Sequence, residues 1–223
     1  GVTTFVGDNG SGKTNIAESL IYLAFLSSHR VANNVPLISL GNQQAIIRAE
    51  VQRDDRTLQI DLEINATKAN RARINGNPTR SQRELLGAIQ IVYFSPEDLD
   101  LVRGEPGNRR DFLDRLLITR TPRLAGVIAD YERVVKQRNA LLKTRTSAAA
   151  LVPWNEQLIK LGAELTAERI ALIEVLNPWV AKNYANLNEV KPASISYKCS
   201  TDGVTKNIEE NITVLTARLE EVA

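Results

Sequence analysis

The chain has 223 residues, 43% of them hydrophobic, with 28 lysines and arginines against 26 aspartates and glutamates. That length supports one or two domains with a real core, and the near balance of charge excludes a globally basic nucleic-acid binder, so any such surface is local. No apolar run approaches a membrane span, no secretory leader is visible and the single cysteine, Cys199, excludes an internal disulfide, which together point to a cytoplasmic protein without a membrane partner.

Val2-Thr3-Thr4-Phe5-Val6 is β-branched and aromatic and predicts a buried strand. Gly7-Asp8-Asn9-Gly10-Ser11-Gly12-Lys13-Thr14 follows and fits G-x-x-x-x-G-K-[ST] at every fixed position, and Asn15 to Leu23 predicts a helix. Strand, glycine loop and helix form the setting this motif requires. The glycines permit positive φ, so that successive backbone N–H groups point inward at phosphate oxygens, and the helix N-terminus adds its partial positive charge. Lys13 is expected to neutralise the β and γ phosphates and Thr14 to be a ligand of Mg²⁺, so ATP and Mg²⁺ are the expected cofactors. A glycine-rich turn with no ligand is the bland alternative.

The helix stops near Ser27-Ser28-His29-Arg30, where His29, the only histidine, reads as a partner for the last carbonyls. Residues 31 to 42 read as a loop. Ala45 to Gln52 and Thr57 to Ile64 each alternate at period two about Asp54-Asp55, which predicts an antiparallel hairpin, and Arg71 to Ile74 adds a third strand ending in the Asn75-Gly76 turn. Between Glu63 and Glu84 the chain has no acid but carries Lys68, Arg71, Arg73, Arg80 and Arg83. Such a patch suits a DNA backbone, and it equally suits an edge strand guarded by charge. Ser81 and Glu84 are placed as a capping box with Gly87 as the stop, Ile89 to Phe94 reads as a buried central strand, and Pro96 opens the next turn.

From there the chain turns helical. Asn108 opens one helix and Thr121-Pro122 a longer one, whose stripe runs from Leu124 to Leu142. A third begins near Pro153, with Pro178 expected to end or kink it. The two long helices joined by Arg145 to Ala150 suggest an inserted helical arm. Ser194 to Cys199 then alternates like a strand and Ile208 to Val222 reads as a helix. The expected organisation is an α/β ATPase lobe with a mixed or antiparallel sheet over 1–104, a helical arm over 105–190, and a return to the lobe over 191–223.

The inner Asn9-Gly10 of the loop resembles the version used by ABC-type ATPases of the chromosome-maintenance group. More specifically, the stretch from Pro96 to Asp114, with Arg109-Arg110-Asp111-Phe112-Leu113-Asp114 at its end, is similar to the signature of the RecF family of recombination mediators. Leu26 to Arg30, Asn70 to Gly76 and Val135 to Leu142 resemble that family as well, so the likeness spans nearly the whole chain. Glu105 departs from it, standing where a smaller residue or Asp is expected. The resemblance implies a slow, DNA-dependent ATPase of gap repair, replication restart and recombination. Two ATP molecules would be sandwiched in a homodimer that closes on double-stranded DNA beside a gap, and RecO and RecR would act with it to load RecA. It also implies two strands ahead of Gly1 and, past Ala223, a signature motif and the acidic Walker B pair. The absence of methionine fits such a fragment, which alone is expected to be inactive; no catalytic residue is therefore assigned within the chain. Arg109 and Arg110, where sheet passes into arm, are expected to couple nucleotide state to arm position; pairing with Asp111 or Asp114 within the fold is the plainer reading. The competing functions are the structural head of an SMC-like protein and a small-molecule phosphotransferase.

Overall fold

The computed structural model describes residues 1–31, 33–53, 55–144, 147–187 and 192–221. They divide into two compact units, the first comprising 1–108 with 118–122 and the second 109–117 with 123–223.

In the first unit, helix α1 (Lys13–Phe25) follows the glycine loop, and four antiparallel strands lie in the order β1 (Gln44–Arg53), β2 (Arg56–Asn65), β3 (Arg71–Ile74) and β4 (Asn77–Pro78). The period-two alternation of β1 and β2 becomes one continuous register, from Gln44 opposite Asn65 to Arg53 opposite Arg56. One face is apolar: Ile60, Leu62 and Ile64 of β2 and Ala72 of β3 pack with Tyr22 and Leu23 of α1 and with Leu85. The turn between β3 and β4 uses positive φ at Asn75 and Gly76 (50° and 79°), which matches the right-handed twist of the strands it joins. Ser81 and Glu84 do form a capping box, on a 3-10 turn over Gln82–Leu85.

Two expected strands are absent. Residues 2–6 and 89–94 form no strand, and Val2, Val6, Val92 and Phe94 are almost fully exposed. A strand is a paired state, and among the described residues neither stretch has a neighbouring ladder to join.

The second unit is helical: most of α3 (Pro106–Arg120), then α4 (Leu124–Lys143), α5 (Ala148–Ala185) and α6 (Ile208–Glu221); a short α2 (Asp100–Arg103) precedes them in the first unit. Arg123, at the N-cap of α4, meets Glu164 and Glu168 of α5 while Arg138 meets Asn155, so α4 and α5 run antiparallel as the expected hairpin. The helices approach closely at Gly162, where a β-carbon would stand 3.4 Å from the Tyr131 ring. Leu124, Ile128, Val134, Leu165 and Leu172 are buried there.

Pro178 does not end α5, which continues to Ala185. Proline removes a single N–H bond, and tertiary bonds hold the helix about it: Lys206 pairs with Glu174 and the Asn177 carboxamide accepts the Ile195 N–H. Nor do the described residues after 191 rejoin the sheet. Ser194 to Cys199 forms no strand. Asn211 of α6 is fully buried, donating to the Ala163 carbonyl of α5 and to the Thr205 carbonyl. Apolar positions of α6 recur at helical spacing, and the face they make is satisfied by a neighbouring helix. The expected boundary at 190–191, together with Asp54, Arg145 and Val222, lies outside the described residues.

Candidate functional site

The glycine loop leads into α1. Gly10 and Gly12 take φ of 87° and 89°, and a β-carbon at either would meet nothing within 4 Å. Glycine is needed at these two positions for conformation and not for space. Gly7 differs, since a β-carbon there would come within 3.0 Å of the Ser11 hydroxyl oxygen. The Ser11 N–H donates to the Asp8 carbonyl at 3.2 Å, which closes the loop.

Lys13 opens α1 and folds its ammonium back into the loop, donating to the Gly7 carbonyl at 2.6 Å and the Asp8 carbonyl at 2.7 Å. Gly12 caps α1 with no side-chain acceptor, and no acid stands in the first turn. The first N–H groups of the helix are thus left to an external acceptor, and the Lys13 ammonium is folded into the loop that leads to them. This is a cradle for an anion, and it fits a polyphosphate. Thr14 is exposed beside it and offers one hydroxyl oxygen. Among the described residues no three acidic, histidine or cysteine side chains cluster to complete a metal shell.

Beside α1 lies a cavity of about 390 Å³ lined by Asn15, Glu18, Tyr22, Arg30, Leu37 and Ile64, among others. Its loop wall is tied at two points. Glu18, buried, accepts from Ser28 and pairs with Arg30 at 3.5 Å. Asn34 meets Tyr22 and Asn70, and Asn70 uses its whole carboxamide: it accepts from Asn34 and the Asn65 N–H, and donates to the Tyr22 hydroxyl and to Gln82. Burial pushes the Tyr22 phenol up, and the Asn70 bond acts in the opposite sense. Sequence reasoning did not find Glu18 or Asn70 as site-shaping residues, because most of their partners lie 10 to 48 positions away.

His29 does not serve the helix carbonyls. Its Nε2 is 3.0 Å from the Tyr93 hydroxyl, and its buried Nδ1 has no hydrogen-bond partner among the described residues.

The basic residues of the sheet region separate. Arg71 and Arg73 share the exposed face of β3, where the register sets Glu63 beside Arg71 and Asp61 beside Arg73; Asp61 also pairs with Arg48 of β1 at 3.3 Å. The acid-free stretch of sequence thus receives acids from β2. Lys68, Arg80 and Arg83 are exposed outside the strands. Arg109 and Arg110 lie exposed in the first turns of α3. Asp114 is engaged by Arg169 of α5 through two bonds of 2.8 and 2.7 Å, with both side chains mostly buried. Burial opposes the Arg169 charge, but Asp114 and Tyr197 outweigh it and hold its pKa above the ordinary value.

No family model matches the chain. Individual relatives do. It is 48% identical over 214 residues to the DNA replication and repair protein RecF of Streptomyces avermitilis, covering 91% of this chain and 57% of that one. It is 43% identical over 252 residues to the protein of the same name from Nocardioides, covering 91% and 60%. A solved structure of the recombination mediator protein RecF with ATPrS, from the RecFOR pathway, superimposes with a TM-score of 0.87 at 24% identity, over 96% of this chain and 59% of that one, and shows the same α/β fold. The chain thus spans somewhat more than half the length of these relatives, and with such identity along nine-tenths of its own residues it belongs to the RecF family.

Proposed function

We propose that the chain is the nucleotide-binding part of an ATP-dependent DNA-repair protein that binds ATP at Gly7 to Thr14. The observation that carries this reading is the uncapped, glycine-shaped start of α1 with Lys13 folded over it. On binding, the Lys13 ammonium exchanges the Gly7 and Asp8 carbonyls for phosphate oxygens, the N–H groups of Gly10 to Thr14 orient the phosphates, and Thr14 offers its hydroxyl to Mg²⁺. Mg²⁺ supplies charge neutralisation of the phosphates when bound.

In the complete protein, ATP drives homodimerisation on double-stranded or gapped DNA, and slow DNA-stimulated hydrolysis releases it, in the cytoplasm and alongside RecO and RecR in RecA loading. Relatives named for DNA replication and repair, and a RecF structure solved with ATPrS, support this reading. Lys68, Arg71, Arg73, Arg80 and Arg83 are the DNA contacts it proposes, and Arg109 and Arg110 the residues that transmit nucleotide state. A coiled-coil head is disfavoured, because α4 ends at Lys143 and α5 begins at Ala148.

The test is equilibrium binding of a fluorescent ATP analogue to the complete protein and to its Lys13→Ala variant. Loss of at least tenfold in affinity with an unchanged thermal midpoint is expected; equal affinity of the two proteins rejects the site.

A further inference from the structure

The sequence between Glu132 and Glu156 contains Arg133, Lys136, Arg138, Lys143 and Arg145 and no acid. In the second unit this stretch is the distal part of the α4–α5 hairpin, with Arg145 outside the described residues. Two of the charges are occupied: Arg133 pairs with Asp130 at 3.0 Å, and half-buried Arg138 bonds the Asn155 carboxamide at 2.7 Å, which ties α4 to α5. Lys136 and Lys143 are different. Both are exposed, and neither makes an ion pair among the described residues.

Seven residues are 20° short of two helical turns, so Lys136 and Lys143 project from one side of α4, about 10 Å apart at ~1.5 Å per residue. That length spans about three phosphates of one strand at ~3.4 Å of axis each. In sequence, acids bound this stretch at its two ends. Glu132 lies one turn before Lys136, Glu156 is on α5, and Glu221 of α6 is taken by Arg218 at 2.9 Å. The sheet makes the contrast, because there each exposed arginine of β3 has an acid of β2 directly opposite it.

We infer that the exposed side of α4 carrying Lys136 and Lys143 is a docking surface for the phosphate backbone of DNA. This rests on the DNA-repair reading above and adds an electrostatic contact on the helical hairpin to those it proposes in the sheet region. Two lysines without acidic partners release counterions on meeting phosphates, whereas a charge already neutralised by a neighbouring carboxylate releases fewer.

The experiment uses the complete protein with ATP and a labelled duplex bearing a single-stranded gap, with binding read by fluorescence anisotropy across a sodium chloride series. The Lys136→Ala/Lys143→Ala double variant is expected to lower the slope of log affinity against log salt by about 1.8, since each lost phosphate contact removes about 0.9. Lys136→Arg/Lys143→Arg is expected to keep the wild-type slope. Circular dichroism checks that each variant is folded. If the wild type binds with a steep slope that the double alanine variant retains, the inference is overturned while the DNA reading stands; a surface for an acidic protein would give that result. If the wild type binds no DNA with or without ATP, both fail.

Discussion

At the residue scale, the charged cluster of the second unit carries two predictions. Asp114 and Arg169 form a bidentate pair from which little water is gained when one partner is deleted, so the survivor is left as an uncompensated buried charge. Asp114→Ala is expected to destabilise the helical unit by about 3–5 kcal/mol, read by chemical denaturation followed by circular dichroism. A paired change of both residues to apolar ones of similar volume should cost far less. Glu132 behaves oppositely. Desolvation, reinforced by the like charges of Asp111 and Asp114, holds its carboxyl above the usual range, with Arg169 acting against that shift. A carboxyl whose pKa is raised on folding favours the folded state while both states are protonated, and that contribution is lost as pH rises through the folded value. Glu132→Gln is therefore expected to raise the thermal midpoint at pH 7, and the gain should shrink as pH falls towards the ordinary carboxylate value of about 4.3. An equal gain at both pH values would contradict this account.

At the scale of elements, the loop and helix around Gly12 separate conformation from packing. At φ 89° any L side chain is strained by roughly 1–2 kcal/mol, yet a β-carbon there meets no neighbour. Gly12→Ala should accordingly lower nucleotide affinity through misdirected N–H groups, while the thermal midpoint falls by only a few degrees; binding and melting of the same preparation decide it. The segment over 33–37 depends on Asn70, which joins α1, β2, this loop and the Gln82 turn through four bonds. Asn70→Ala leaves those partners unsatisfied at an expected cost of about 1–3 kcal/mol. It should also expose the amide N–H groups of Val35 and Leu37 to faster hydrogen exchange, while those of α4 are unaffected.

At the scale of the whole molecule, apolar side chains stand in water along the extended stretches of the first unit: Val2 and Val92 are 96% and 100% exposed, and Phe94 is 81% exposed. Unpaired backbone flanked by such side chains is a template for association. The 223-residue chain expressed by itself is expected to self-associate, seen as concentration-dependent light scattering, and Val92→Lys/Phe94→Lys should reduce it. A monodisperse monomer at all concentrations would argue that these stretches are covered in solution.

The sequence by itself determined the local features. Gly7 to Thr14 marked the proposed phosphate loop, because its chemistry is held in consecutive residues, and the alternation of Ala45 to Ile64 defined the hairpin, because side-chain direction follows a period of two. The capping box at Ser81 was legible for the same reason. What tertiary structure decided is everything that depends on a distant partner. The runs at 2–6 and 89–94 have strand composition but become strands only with a neighbour, and Pro178 ends a helix only where nothing holds the next turn. The arginines of β3 look unopposed in sequence until β2 brings Asp61 and Glu63 across. Asp114 and Arg169, 55 residues apart, carried no signal of their pairing, since charge complementarity acts through space and sequence records only order along the chain.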